Sequence, residues 1–188
     1  MVYTIIAEGR SGGQTLTEWF KLSLPNFIVA HEPFNCDNFN FTKNTNKTDF
    51  TWVDKNKNYF VKELFSEDIL PLLSISDKVM CLYRENWEEQ IKSLLYAMKT
   101  NKWHIKYTED NVKKLVSDDD VINFYNSGFK EKKEAFQSFI VKNNLISISY
   151  EQLYYDNGIE KIKEHFNINS NINFPLGQKY LTKENILI

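Results

Sequence analysis

Residues 3–16, YTIIAEGRSGGQTL, constrain this chain more than any other stretch. An apolar, β-prone run at Tyr3–Ala7 meets a loop carrying Arg10, Ser11, Gly12 and Gly13, and an amphipathic run begins near Thr15. A strand, a glycine loop and a helix start in that order make an anion site. The loop amides and the positive helix end converge on one point, and paired glycines let a phosphate-like group approach the backbone. The nucleotide-triphosphate version of such a loop needs G-x-x-x-x-G-K-[ST]. Here Gln14 stands five residues after Gly9, and no Lys precedes Thr15. The loop is therefore expected to take a phosphate-like group, but not the triphosphate of ATP with its magnesium.

A chain of 188 residues is expected to form a single domain, 1–188, with a substantial core. Its formal charge of −2 exerts no global pull toward nucleic acid or an anionic membrane. No apolar run approaches the length of a membrane span. The N-terminal MVYTIIAEGR lacks a basic segment followed by a long apolar one, so no secretory signal is expected. Cys36 and Cys81 are too few for a disulfide framework, which points to a reducing cytoplasm. The sequons at Asn40 and Asn46 carry no consequence there.

Strand-like and helix-like runs alternate, which predicts an α/β domain with a mainly parallel central sheet flanked by helices. Strands are expected at Tyr3–Glu8, Phe27–Ala30, Tyr59–Lys62, Lys78–Tyr83 and Leu145–Ser149. Helices are expected at Thr15–Leu22, Glu67–Leu73, Trp87–Thr100, Asn111–Val116, Asp119–Asn143 and Ile159–His165. Residues 36–58, rich in Asn, Lys and Thr, read as a long loop of the kind that carries function. Beyond Asn167, Pro175 and Gly177 break any regular element.

The second informative block is Lys78–His104. Val79–Tyr83 read as a buried strand with Arg84 at its carboxyl end, where ligands sit in open α/β sheets. Asn86 suits an N-cap. Ile91, Leu94, Leu95 and Met98 form a core stripe at helical spacing, with Ser93 on the opposite face. Arg84 and Ser93 can thus meet one ligand phosphate, Arg as a charged fork and Ser as a hydroxyl donor; the alternative is that Arg84 pairs with a nearby carboxylate and Ser93 faces water.

Two anion sites on one sheet resemble the sulfotransferase superfamily that uses 3′-phosphoadenosine 5′-phosphosulfate. Arg10-Ser11-Gly12-Gly13-Gln14-Thr15-Leu16 resembles its R-S-G-[ST]-T-L loop with one extra residue. Arg84 and Ser93 resemble its 3′-phosphate motif. Ser93-Leu94-Leu95-Tyr96-Ala97 with Thr100 and Trp103 is similar to the bacterial trehalose-type members, and the paired glycines to glycan and tyrosylprotein sulfotransferases. Ile148-Ser149-Tyr150-Glu151-Gln152-Leu153 is similar to the Y-E-[DQ]-L stretch before the last core helix.

The resemblance implies a P-loop-like fold in a compact version and direct sulfuryl transfer to a hydroxyl acceptor, carbohydrate-like or another small molecule, with no metal. It assigns Gly12, Gly13, Gln14, Thr15 and Leu16 to the 5′-phosphosulfate, with Ser11 assisting. Arg10 offsets charge on the leaving phosphate oxygen. Arg84 and Ser93 take the 3′-phosphate, Tyr150 borders the adenosine, and Lys179 reaches a phosphate from the C-terminal loop. His31-Glu32-Pro33-Phe34 resembles the G-E-P segment that holds the base, which selects Glu32, with His31 as the rival. Trp103 and His104, with His31, are expected to shape the acceptor pocket.

Other residues read as structural. Asp118–Asp120 suit a solvated helix start and His165 a favourable helix-end charge. Lys130, Lys132 and Lys133, alternating with Glu131 and Glu134, suit an exposed helix face. Lys62 matches a frequent family lysine and receives no role. Two rival readings stand beside the enzyme: a P-loop-type kinase, and an inactive homologue that binds a phosphorylated nucleotide without turnover.

Overall fold

The computed structural model describes residues 1–34, 50–103 and 109–174. Among them, five strands form one all-parallel sheet in the order β2-β3-β1-β4-β5. They are β1 (Val2–Ala7), β2 (Phe27–His31), β3 (Asn58–Leu64), β4 (Lys78–Tyr83) and β5 (Ile146–Ser149). In chain order the helices are α1 (Gly13–Ser23), α2 (Leu70–Ile75), α3 (Trp87–Thr100), α4 (Glu109–Leu115), α5 (Asp118–Phe124), α6 (Lys130–Lys142), α7 (Tyr150–Tyr155) and α8 (Ile159–Phe166). This is the α/β class expected from the alternation of elements.

Helices cover both faces, so the central strands are buried throughout. All six residues of β1 are buried. The pleat sends alternate side chains to opposite layers. Tyr3, Ile5 and Ala7 pack with Leu16, Trp19 and Phe20 of α1 and with Ile162 and Phe166 of α8. Val2 and Ile6 pack with Leu72 of α2 and with Phe136 and Ile140 of α6 on the other face. Phe20 stacks on Phe60 with ring centroids 3.7 Å apart, which fixes α1 over β3. A third cluster joins Ile91, Leu95 and Tyr96 of α3 to Val112 and Val121. No described helix is long and apolar enough to cross a membrane.

Two expected elements differ. The run Asp119–Asn143 is not one helix. It breaks at Ser127 and Gly128, where Gly128 takes φ 115, a left-handed conformation that glycine adopts without strain. Residues Tyr150–Tyr155 form a helix that periodicity missed, because six residues are too short to show an amphipathic pattern. Its start is nonetheless specified locally: Ser149 accepts the Gln152 N–H, and the Gln152 side chain accepts the Ser149 N–H. Met98 is not core, being 52% exposed.

Candidate functional site

The chain leaves β1 toward β2 on one side and leaves β4 toward β5 on the other. Their carboxyl ends therefore border a crevice at the switch point of the sheet, the place where open α/β folds bind ligands. The loop after β1 and the residue after β4 lie there.

The loop is held from below. Ser11, 1% exposed, donates to Glu8 O at 2.6 Å. Gly12 precedes α1 with φ 82, and no side chain caps the helix. The first amides of α1 thus have no intrahelical acceptor and face the crevice end. A Cβ on Gly12 would lie 2.7 Å from the Tyr154 ring and 2.9 Å from the Tyr150 ring, so only glycine fits. Tyr154 also donates its hydroxyl to Gly12 O at 3.2 Å. Burial pushes the phenols of Tyr150 and Tyr154 above their ordinary range, which keeps both neutral.

Arg84 closes the crevice from β4. Its backbone N–H donates to Glu8 Oε2 at 3.0 Å, and its Nη1 donates to Arg10 O at 3.3 Å. The guanidinium lies 4.6 Å over the Tyr150 ring. Its side chain is 9% exposed, with Glu151 and Glu89 only at 3.9 and 4.0 Å. The buried Nε has no hydrogen-bond partner among the described residues. A buried charged donor left without a hydrogen bond is costly in a resting fold, and Glu151 at 3.9 Å answers its charge without bonding it. Arg10, itself at φ 62, donates its Nε to Ser93 Oγ at 2.8 Å and its Nη1 to Trp103 O at 2.6 Å. Arg10, Ser93 and Arg84 are therefore brought together on the α3 side of the loop. The arginine expected beside a leaving oxygen is directed to α3 instead.

A different cation stands over the glycines. Lys62, 4% exposed, follows Phe60 by two residues and shares its face of β3, under α1. A Cβ on Gly13 would lie 2.6 Å from Lys62 Cε and 3.5 Å from Nζ. The ammonium is ion-paired with Glu32 Oε1. Glu32 sits at φ 50 just past β2, anchored by its N–H to Lys62 O at 2.6 Å. His31 Nε2 lies 3.5 Å from Glu32 Oε1. Thr17 gives its hydroxyl proton to Gly13 O at 2.8 Å, so the His31 Nδ1 that contacts the same hydroxyl at 3.0 Å must be the donor. The neighbouring Glu63 is fully buried on the opposite face and accepts the N–H groups of Phe34 and Leu64. Burial raises its carboxyl to about 7, against the lowering by those two amides and by Lys62.

Sequence reasoning passed over Lys62, although a lysine two residues from a core phenylalanine inside an apolar strand is a visible signal. Leu16 has its side chain in the core at 1% exposure, and its amide donates to Gly12 O at 3.4 Å inside the helix. Lys133 is corrected. It is not a solvated residue but an ion pair with buried Glu8 at 3.0 Å. His165 is a packed, half-buried ring with Nε2 3.0 Å from Val79 O, and burial lowers its basicity, so no helix-end charge explains it. Gln14 is exposed and Thr15 half-buried at the first turn of α1. Trp103 is 42% exposed and reaches the cluster through its carbonyl. His104 and Lys179 lie outside the described residues, as do residues 36–49 of the long loop.

No protein-family model matches the chain. No curated protein matches it either. Among solved structures the chain is similar to a mouse sulfotransferase, SULT7A1, complexed with PAP, at 14% identity and a TM-score of 0.44. The match covers 90% of this chain and 60% of the mouse chain, so the present chain spans less than two thirds of that protein.

Proposed function

We propose that this chain is a sulfotransferase that takes 3′-phosphoadenosine 5′-phosphosulfate and serves a hydroxyl acceptor, carbohydrate-like or another small molecule. The observation that carries the reading is the Arg84 guanidinium. It is buried, its Nε is without a hydrogen-bond partner among the described residues, and its Nη1 bonds the glycine loop at 3.3 Å. An anion cradle at a helix start and a second cationic cradle beside it fit one ligand with two phosphate-bearing ends.

In this reading the amides of Gly12, Gly13, Gln14 and Thr15 hold the phosphosulfate end, supported by Ser11. Arg84, Arg10 and Ser93 hold the 3′-phosphate, and Tyr150 lies beneath Arg84 as the floor on the adenosine side. Lys62 takes the place first given to Arg10, because it is the cation against Gly13, where negative charge grows on the leaving phosphate. When bound, the donor supplies the sulfuryl group. Glu32 accepts the acceptor's hydroxyl proton, and Lys62, paired with the same carboxylate, holds it in place over the glycine loop. His31, with Nδ1–H fixed by Thr17, keeps an unprotonated Nε2 3.5 Å from the same Glu32 oxygen. Trp103 borders the acceptor side, and His104 and Lys179 keep the roles that the resemblance gives them. The cytoplasm is the compartment we assign, where Cys81 persists as a buried free thiol.

Calorimetric titration with adenosine 3′,5′-bisphosphate and with ADP tests the reading. The bisphosphate is expected to bind at least about tenfold more tightly, the worth of one charge-assisted contact. Equal affinity for the two nucleotides would remove the 3′-phosphate cradle and the proposal with it.

A further inference from the structure

Glu8 stands immediately before the glycine loop, with its side chain 8% exposed. Its Oε2 accepts the Arg84 N–H at 3.0 Å and the Gln90 side-chain amide at 3.2 Å, and that amide also donates to Gly9 O at 2.8 Å. One carboxylate therefore fixes how the loop after β1 sits against the end of β4. The same carboxylate is a buried negative charge at the root of an anion site, where it repels the ligand that the site is built to hold.

Lys133 answers that charge. Its ammonium lies 3.2 and 3.0 Å from the two Glu8 oxygens, 2.7 Å from Arg84 O and 3.2 Å from Gln90 Oε1. The lysine arrives from α6, past the Gly128 break, and shares a helical stripe with Phe136 and Ile140, which pack on the sheet. Its ammonium thus sits behind both cradles, among groups that hold them, while its side chain is 19% exposed.

We infer that Lys133 is a charge-compensating positioning residue of the anion site: it cancels Glu8 beneath the two cradles and so raises their affinity for a bisphosphorylated ligand without touching it. The identity of the ligand rests on the function proposed above; the electrostatic role does not.

The test compares wild type, Lys133→Met, Glu8→Gln and the double variant by calorimetry at low salt, with thermal melts to verify folding. The probes are adenosine 3′,5′-bisphosphate and inorganic pyrophosphate. Lys133→Met is expected to weaken both probes about tenfold, Glu8→Gln to bind at least as tightly as wild type, and the double variant to return to within about threefold of it. A purely structural tie predicts instead that Glu8→Gln and Lys133→Met weaken binding alike, and that result in folded proteins overturns the inference. Should Lys133→Met not fold, Glu8→Gln alone decides, since reduced affinity in that variant is the wrong sign. A wild type that ignores the nucleotide but binds pyrophosphate with this pattern overturns the donor reading and leaves Lys133 its role. A wild type that binds neither probe overturns both.

Discussion

Lys62 and Gly13 are fitted to one another: a Cβ on Gly13 would come within 2.6 Å of Lys62 Cε. At position 13 an added Cβ would meet only a neighbouring side chain, the flexible end of a lysine. The glycine at 12, by contrast, is demanded first by its own backbone, at φ 82, and then by two tyrosine rings.

The two glycines therefore fail differently when replaced. Gly12→Ala puts a side chain at positive φ against Tyr154 and Tyr150, and is expected to lower stability by about 2 kcal/mol or more in urea unfolding. Gly13→Ala meets only the far end of a lysine, which swings aside. It is expected to cost under about 1 kcal/mol while displacing the ammonium from the loop, so that turnover falls more than stability. Equal loss of stability in the two variants would contradict the packing described.

Arg84 is expected to discriminate between ligands. Arg84→Ala should weaken adenosine 3′,5′-bisphosphate by roughly 10- to 100-fold and leave ADP nearly unchanged. Arg84→Lys should recover only part of the loss, because an ammonium keeps the charge but not the planar fork over Tyr150. Calorimetry with both nucleotides reads the result, and uniform weakening toward both would mean that Arg84 serves only the loop.

Much of this arrangement is written in short-range chemistry. The strand–glycine–helix order of residues 3–16 and the β4–Arg84–Asn86–α3 run are local patterns, and Asn86 does accept the Glu89 N–H at 3.0 Å as an N-cap. Lys133 was not legible. Its alternation with Glu131 and Glu134 looks like a solvated face, and only the break at Gly128 turns α6 so that the lysine meets Glu8, 125 residues away in sequence. The orientation of Arg10 was not legible either: a loop motif gives the residue type, but its φ of 62 and the position of Ser93 decide which way its side chain turns. Lys62 needed the sheet register, in which it pairs with Ile5 of β1 and His31 of β2.

Glu32 and Lys62 separate binding from chemistry. Glu32→Gln keeps the shape of the turn and is expected to bind adenosine 3′,5′-bisphosphate as wild type does, while transfer to an acceptor falls by at least about 100-fold. Transfer assays with an acceptor panel, run beside the titration, check both halves. Full activity in Glu32→Gln moves the base to His31, whose Nε2 lies 3.5 Å from the same carboxylate.

Glu63 gives the fold a pH dependence of unusual sign for a carboxylate. Burial raises its carboxyl from 4.5 to about 7, so between those values the folded chain holds a proton that the unfolded chain has released. The native state binds more protons there, and stability falls as pH rises. The contribution is fully present below about pH 4.5, declines through the interval and is gone above about pH 7, a change of about 3 kcal/mol for this one group. Glu63→Gln is neutral at every pH and retains a carbonyl oxygen for the Phe34 or Leu64 N–H. Urea unfolding from pH 5 to 8 is therefore expected to show wild type losing stability across the range relative to Glu63→Gln, whose profile lacks that component. Parallel profiles would mean that Glu63 is ionised inside the fold, and that the Phe34 and Leu64 amides together with Lys62 outweigh its burial.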